Sequence, residues 1–233
     1  MPDINLKKIP TILGLLLLLV GVGAGVYLVA SNQSLNLFSE AGPTATPRQV
    51  KVSNIESDGA TISWVTDTRV KGFIKYGTSK NSLDSTVADD RDQISGEGSQ
   101  YTTHYVSLNN LQADQQYFYV IGSGSQVYQN DGQPYQLRTA PTLGGKPAAD
   151  TINGKIVVAD GESAPGTIVY VQIQGGDLRS ALSKETGTWT LPLATTRTKD
   201  LSQYLSYDRQ QERLTITAQG GELGTATAQV YSG

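Results

Sequence analysis

From Thr11 to Ala30 the chain reads TILGLLLLLVGVGAGVYLVA, without one charged side chain. About 20 residues at about 1.5 Å each reach roughly 30 Å, the hydrocarbon thickness of a bilayer. Only a segment that bonds its own backbone can cross there, so the run predicts a transmembrane helix. Beyond it the pattern changes to short alternating runs divided by turn residues. Val50, Val52 and Ile55 open the first set. Runs at 60–64, 72–76, 103–108, 117–121 and 135–138 follow, then a second set at 156–159, 168–173, 187–191, 212–218 and 224–230. Strands of this length and spacing predict an all-β chain, with two consecutive antiparallel β-sandwich domains behind a single N-terminal transmembrane helix.

The same pattern sets the boundaries. Residues 1–10 form a cytoplasmic N-terminus and 11–30 the helix. Residues 31–46 are a small, polar juxtamembrane spacer, in which Leu35, Leu37 and Phe38 suit the membrane surface. Residues 47–140 and 151–233 are the two β domains. Two prolines, two glycines and small residues between Thr139 and Asp150 mark the linker at 141–150. A helical turn is expected at Leu201–Leu205, inside a loop inserted at Thr195–Tyr207.

Lys7 and Lys8 precede the apolar run, and no Lys or Arg follows before Arg48. This asymmetry places the N-terminus in the cytoplasm and the remainder outside, at the cell surface. A secretory signal cut after Ala30 is the rival reading. It wants a shorter apolar core and small residues where Tyr27, Leu28 and Val29 stand. Gly21 and Gly25 fit a helix-dimer motif and allow an oligomer, although glycines are common in spanning helices.

Composition narrows the chemistry. The chain has no Cys and one His, which removes disulfides, thiolate metal sites and Cys nucleophiles. A net charge of −3 argues against nucleic acid as a partner. A triad could be drawn around His104, but His104, Val106 and Leu108 alternate together, which puts His104 at the edge of the core. Asp89-Asp90-Arg91-Asp92 lacks the alternating ligand spacing of a calcium loop and reads as a solvated loop. No catalytic residue, metal ligand or cofactor is implied.

Trp64, the Tyr76–Ser79 run YGTS, and Leu111 six residues before Tyr117, with Tyr119 beyond, resemble a fibronectin type III domain. The resemblance implies a tyrosine corner at Tyr117. With Thr103-His104 before the fifth strand, it is also similar to the N-terminal domain of purple acid phosphatases. It covers about Pro47 to Pro141 and brings no phosphatase chemistry, since that needs a separate dimetal domain with several His ligands. In the second domain Gly154-Lys155, Pro165-Gly166 and Glu185-Thr-Gly-Thr-Trp189 resemble a carboxypeptidase regulatory-like or collagen-adhesin B-type sandwich. The covalent Lys–Asn crosslink of some adhesin repeats is not expected at Lys155, because the last strand offers no Asn.

Tyr101, Tyr105, Tyr128, Tyr135, Tyr204 and Tyr207 remain as candidate exposed aromatics, with Tyr204 and Tyr207 the leading pair. Such rings suit sugars or protein surfaces, although they also pack within domains. The sequence therefore points to a non-enzymatic membrane-anchored surface protein that displays two sandwiches for adhesion or envelope interaction. Its partner would be an unknown surface protein or glycan. The alternative is an accessory or stalk subunit that positions an enzyme or larger assembly.

Overall fold

A computed structural model describes residues 44–95, 98–145 and 147–232. The expected transmembrane helix and most of the spacer lie outside the described residues. No helix among those described is long and apolar enough to cross a membrane.

The fold is all-β and antiparallel. The strands of the first half are β1 (Arg48–Ser53), β2 (Gly59–Val70), β3 (Gly72–Gly77), β4 (Ser85–Ala88), β5 (Tyr101–Asn109), β6 (Gln116–Ser123), β7 (Gln126–Tyr128) and β8 (Tyr135–Arg138). One sheet has the order β1-β2-β5. The other runs β4-β3-β6, with β7 and β8 both on the far edge of β6. Between them lie Ile62, Trp64, Ile74, Val106, Leu108, Tyr117, Tyr119 and Ile121, all buried. The register pairs Ile62 with Val106 and Trp64 with His104, so the apolar alternation of both strands points inward together. At the corner before β6 the Tyr117 hydroxyl accepts the Gln112 N–H at 2.9 Å. The phenol oxygen is thus an acceptor there, and the bond to backbone a few residues upstream is that of a tyrosine corner.

The second half holds β9 (Thr151–Lys155), β10 (Ile168–Ile173), β11 (Arg179–Leu182), β12 (Thr188–Pro192), β13 (Arg213–Gln219) and β14 (Thr225–Tyr231). Its large sheet has the order β11-β10-β13-β14, and a two-stranded sheet pairs β12 with β9. Val169, Val171, Ile173, Trp189, Leu191, Leu193 and Leu214 form its core.

Four sequence expectations change. The run expected as a strand at 156–159 holds only an isolated bridge, Val157 to Ser163, and the strand is β9 just before it. Gly154 lets β9 pass under Trp189, since a Cβ there would lie 2.9 Å from the indole ring. The acidic cluster is not a solvated loop. Its residues enter a short helix, α1 (Asp90–Ser95), with Asp89 fully buried and Asp92 nearly so. The loop 195–207 holds no helical turn. Arg197 bridges to Tyr204 as a narrow hairpin, and Leu201 takes a left-handed turn at φ 63°. His104 lies inside the core, with no exposed surface.

The two sandwiches share a buried junction, and residues 43–233 form one compact unit. The first eight residues of β2 are buried on both faces. One face is the core. The other, with Thr61, Ser63 and Val65, meets the outer face of β10, where Ser63 Oγ lies 2.8 Å from the Tyr170 hydroxyl. Tyr105, Ile168 and Tyr170 make a separate apolar cluster there.

Candidate functional site

His104 is the single histidine, and imidazole is the side chain whose ordinary pKa suits acid–base work near neutral pH. Its ring stacks on Trp64 with centroids 4.7 Å apart and planes 12° from parallel. Nε2 lies 3.4 Å from Thr66 Oγ1, which is itself spent as a donor to the Thr68 carbonyl at 2.7 Å. Nδ1 is 3.9 Å from Asp89 Oδ2. That carboxylate is occupied: it receives the Arg91 guanidinium at 2.8 and 2.9 Å and the Tyr105 N–H at 3.0 Å. Burial pushes the imidazole down to about 4, against the pull of Asp89. His104 is therefore neutral and sealed, without the exposed nucleophile–base pair that covalent catalysis needs. Among the described residues no group of three or more His, Asp or Glu could hold a metal ion.

The candidate aromatics divide. Tyr105 is buried in the junction, its hydroxyl 3.0 Å from the Ser180 carbonyl. Tyr135 stacks on Tyr119 at 5.1 Å, and Tyr128 packs against the first core. Tyr101 lies under the Arg91 guanidinium at 3.4 Å and bonds Asp92 through its hydroxyl. These four serve the fold. Trp64 and Trp189 are core residues, and Tyr76, Leu111, Tyr117 and Tyr119 line the first core.

Tyr204 and Tyr207 are brought together with something the sequence did not show. One end of the junction carries a charged group drawn from both sandwiches. Arg179 at the start of β11 donates through Nη1 to Glu56 at 2.9 Å and through Nη2 to Thr195 Oγ1 at 3.2 Å. Arg197 reaches back to the Pro141 carbonyl at 3.2 Å and lies 3.8 Å from Glu56. Both arginines are more than nine-tenths buried. Asp177 accepts the Arg197 N–H at 2.7 Å, and burial raises its carboxyl to about 6 despite Arg179 beside it.

Above this floor opens a cleft of about 800 Å³, lined by Glu56, Asp58, Asp150, Arg179, Arg197 and Tyr204 among others. The Arg197 guanidinium covers the Tyr204 ring at 4.8 Å. A second hollow of about 310 Å³, also touching Tyr204, is bordered by Tyr207 and Arg209. Tyr207 donates to Asp150 Oδ2 at 2.5 Å, and burial followed by that bond raises its phenol pKa. Arg209 holds the Ala148 carbonyl at 3.0 Å, so the linker is tied down on this side. Glu56, Arg179 and Arg197 were invisible to sequence reasoning, because ion pairs between residues 123 apart follow no local spacing.

Residues 47–139 match the family described as the purple acid phosphatase N-terminal domain. The first half is accordingly a fibronectin-III-like β-sandwich of that variant. The FN1–FN3 domains of chicken CNTN1 align with 82% of this chain and 67% of their own, at 12% identity and a TM-score of 0.30. The central fibronectin-III array of RIM-binding protein aligns with 79% of this chain at 15% identity and a TM-score of 0.27. The chain covers 62% of that array, less than two thirds of its length. No curated protein matches the sequence.

Proposed function

We propose that this chain is a non-enzymatic, membrane-anchored surface protein that presents two β-sandwiches as one rigid unit for adhesion or envelope interaction. The observation that carries the reading is the junction. Side chains from both halves bond across it, and its two arginines are buried, so the halves hold a fixed orientation that a flexible tandem would lose. The sealed imidazole supports a non-catalytic role. The anchor and the outward topology rest on Thr11–Ala30 and on Lys7 and Lys8 before it.

Protease added to intact cells tests this. The region from residue 44 onward should be released folded, while the N-terminal fragment stays with the membrane after alkaline carbonate. Cutting at the exposed Gly144 should leave the two halves associated through the junction. A mature chain that starts at Ser31 and appears free of the membrane would sink the anchored reading.

A second reading, an accessory subunit or stalk, is supported by the match to a domain named as part of a larger enzyme. Envelope crosslinking that captures one stoichiometric protein partner favours it.

A further inference from the structure

We infer that the free edge of β14 is a self-association surface, where a second copy of this chain adds its own β14 antiparallel across a two-fold axis. The pairing goes beyond the display reading and does not depend on it. Among the described residues β14 pairs with β13 alone, over seven residues in one unbroken register. At the two ends of that ladder the Gly220 N–H donates to the Gly224 carbonyl and the Ser232 N–H to the Glu212 carbonyl. Bonded pairs alternate in an antiparallel ladder, so β13 takes the backbone groups of Ala226, Ala228 and Val230. Those of Thr225, Thr227, Gln229 and Tyr231 point to the open edge.

Nothing blunts this edge. Sheet edges are normally protected by charge, proline, a bulge, short length or a cover. Every other edge among the described residues has such a device. β1 carries Arg48 and Lys51, β8 and β9 end on Arg138 and Lys155, and β12 ends on Pro192. β4 and β7 are four and three residues long. The carboxylates of Asp89 and Asp90 take the Tyr105 and Ser107 N–H groups on the edge of β5, and Asn54 covers β11. β14 reads TATAQVY, with neither charge nor proline.

The occupant follows from the strand's complementarity to itself. Outward groups must bond outward groups, and the register with full overlap does this. It sets Thr225 opposite the second copy's Tyr231, Thr227 opposite Gln229, and Ala228 opposite Ala228. Every outward N–H and carbonyl then finds a partner. A two-fold axis brings identical charges close together on a charged strand, and this strand has none.

The side chains fit the same register. Tyr231 is 67% exposed, the most exposed large apolar side chain described. At the other end of β14, Thr225 borders a hollow of about 200 Å³ with Arg48, Gln49, Asp67 and Gln219. The antiparallel pair delivers each copy's Tyr231 to the other copy's Thr225, beside that hollow. An aromatic ring opposite a β-branched residue is a favourable cross-strand pair, and the phenol hydroxyl meets polar partners there. Knob and hollow thus sit on one strand at two-fold-related positions, as an isologous interface requires. On the opposite face Val230 meets the exposed Ala226 and lengthens its apolar row.

The test uses the full chain, which has no Cys, in a zwitterionic detergent. Ala228 is exposed, and facing residues in a non-bonded antiparallel pair stand about 4.5 Å apart at Cα, within disulfide reach. Ala228→Cys should therefore give a covalent dimer under mild oxidation, and Thr188→Cys, exposed on β12, should not. Mixing two singly substituted chains reads the register: Ala226→Cys and Val230→Cys should crosslink to each other and not to themselves. Adding Ala228→Lys to both chains sets two ammonium groups face to face and should abolish the mixed product. The mixed pair decides even where Ala228→Cys fails to fold, which thermal unfolding shows. Ala228→Cys yielding no more dimer than Thr188→Cys in a folded protein overturns the proposal. A mixed yield no greater than the self-yields does so too. Copies held together only through Gly21 and Gly25 would give Ala228→Cys and Thr188→Cys equal yields, and so count against β14.

Discussion

Asn54 and Ser180 exchange hydrogen bonds across the junction: the Ser180 N–H donates to Asn54 Oδ1 at 2.9 Å, and Asn54 Nδ2 donates to the Ser180 carbonyl at 3.0 Å. The Asn54 amide imitates one rung of a β-ladder between two sheets that share no strand. The same residue sits at φ 52°, a left-handed conformation that Asn tolerates better than most side chains. Its own N–H donates to the Leu178 carbonyl at 2.9 Å. Backbone conformation and cross-junction bonding therefore coincide in one residue.

Asn54→Ala should cost about 2–4 kcal/mol, through strain at positive φ and the loss of partners for buried groups. Asn54→Gly relieves the strain and should cost less. Denaturant unfolding measures both. Hydrogen exchange at the Ser180 amide should accelerate in each variant. If that amide stays as protected as in wild type, the rung contributes nothing.

The tyrosine corner gives a simpler test. In Tyr117→Phe the Gln112 N–H loses its acceptor in a part-buried place, at a cost of about 1–3 kcal/mol. An unchanged denaturant midpoint would mean that solvent takes over the bond.

Gly72 is required by the aromatic stack rather than by its own dihedral angles. A Cβ there would stand 2.3 Å from His104 Nδ1 and 2.8 Å from a Trp64 ring carbon, both in fully buried rings. Gly72→Ala should destabilise by about 1–3 kcal/mol, the usual range for overpacking. Adding His104→Ser should recover part of that loss. The double variant would then be more stable than the sum of the two single costs allows. Simple additivity would show that the clash is relieved elsewhere.

How much of this was legible beforehand follows from which face each residue occupies. The inward rows of β2 and β5 are apolar and alternate, so the first sandwich reads directly from Ile62, Trp64, Val106 and Leu108. Their outward rows carry Thr61, Ser63, Thr103 and Tyr105, which look like a solvent face. In the structure that face is buried against β10, and its hydroxyls bond Tyr170, Gly166 and Ser180. Polar residues chosen to satisfy one another across a junction give the same alternation as residues chosen for water. β11 escaped because Arg179–Leu182 is four residues long and opens on a buried charge. The Tyr204 loop was recognisable as an insertion, but its arginine floor was not, since Glu56 comes from the other sandwich.

The last prediction concerns pH, where two buried groups act in opposite senses. His104 has a folded pKa of about 4 against an ordinary value of 6.5. The unfolded chain therefore binds the proton more readily, and the stability from a neutral His104 is full above about 6.5 and lost as pH falls toward about 4. Asp177 runs the other way, raised from 3.8 to about 6. Its protonated form favours the fold below about 3.8, and that contribution is lost as pH rises through about 6. Between about pH 4 and 6 the two slopes oppose each other. Asp177→Asn removes the falling one, so its stability should climb with pH more steeply than that of wild type across this window. The His104 contribution amounts to about 3 kcal/mol over the full range. His104→Asn removes the rising slope, and its stability relative to wild type should drift downward from pH 4 to 6. Denaturant midpoints at half-unit pH steps measure all three. Parallel curves for wild type and Asp177→Asn would show that the Asp177 carboxyl is not raised, and that the junction floor reaches water.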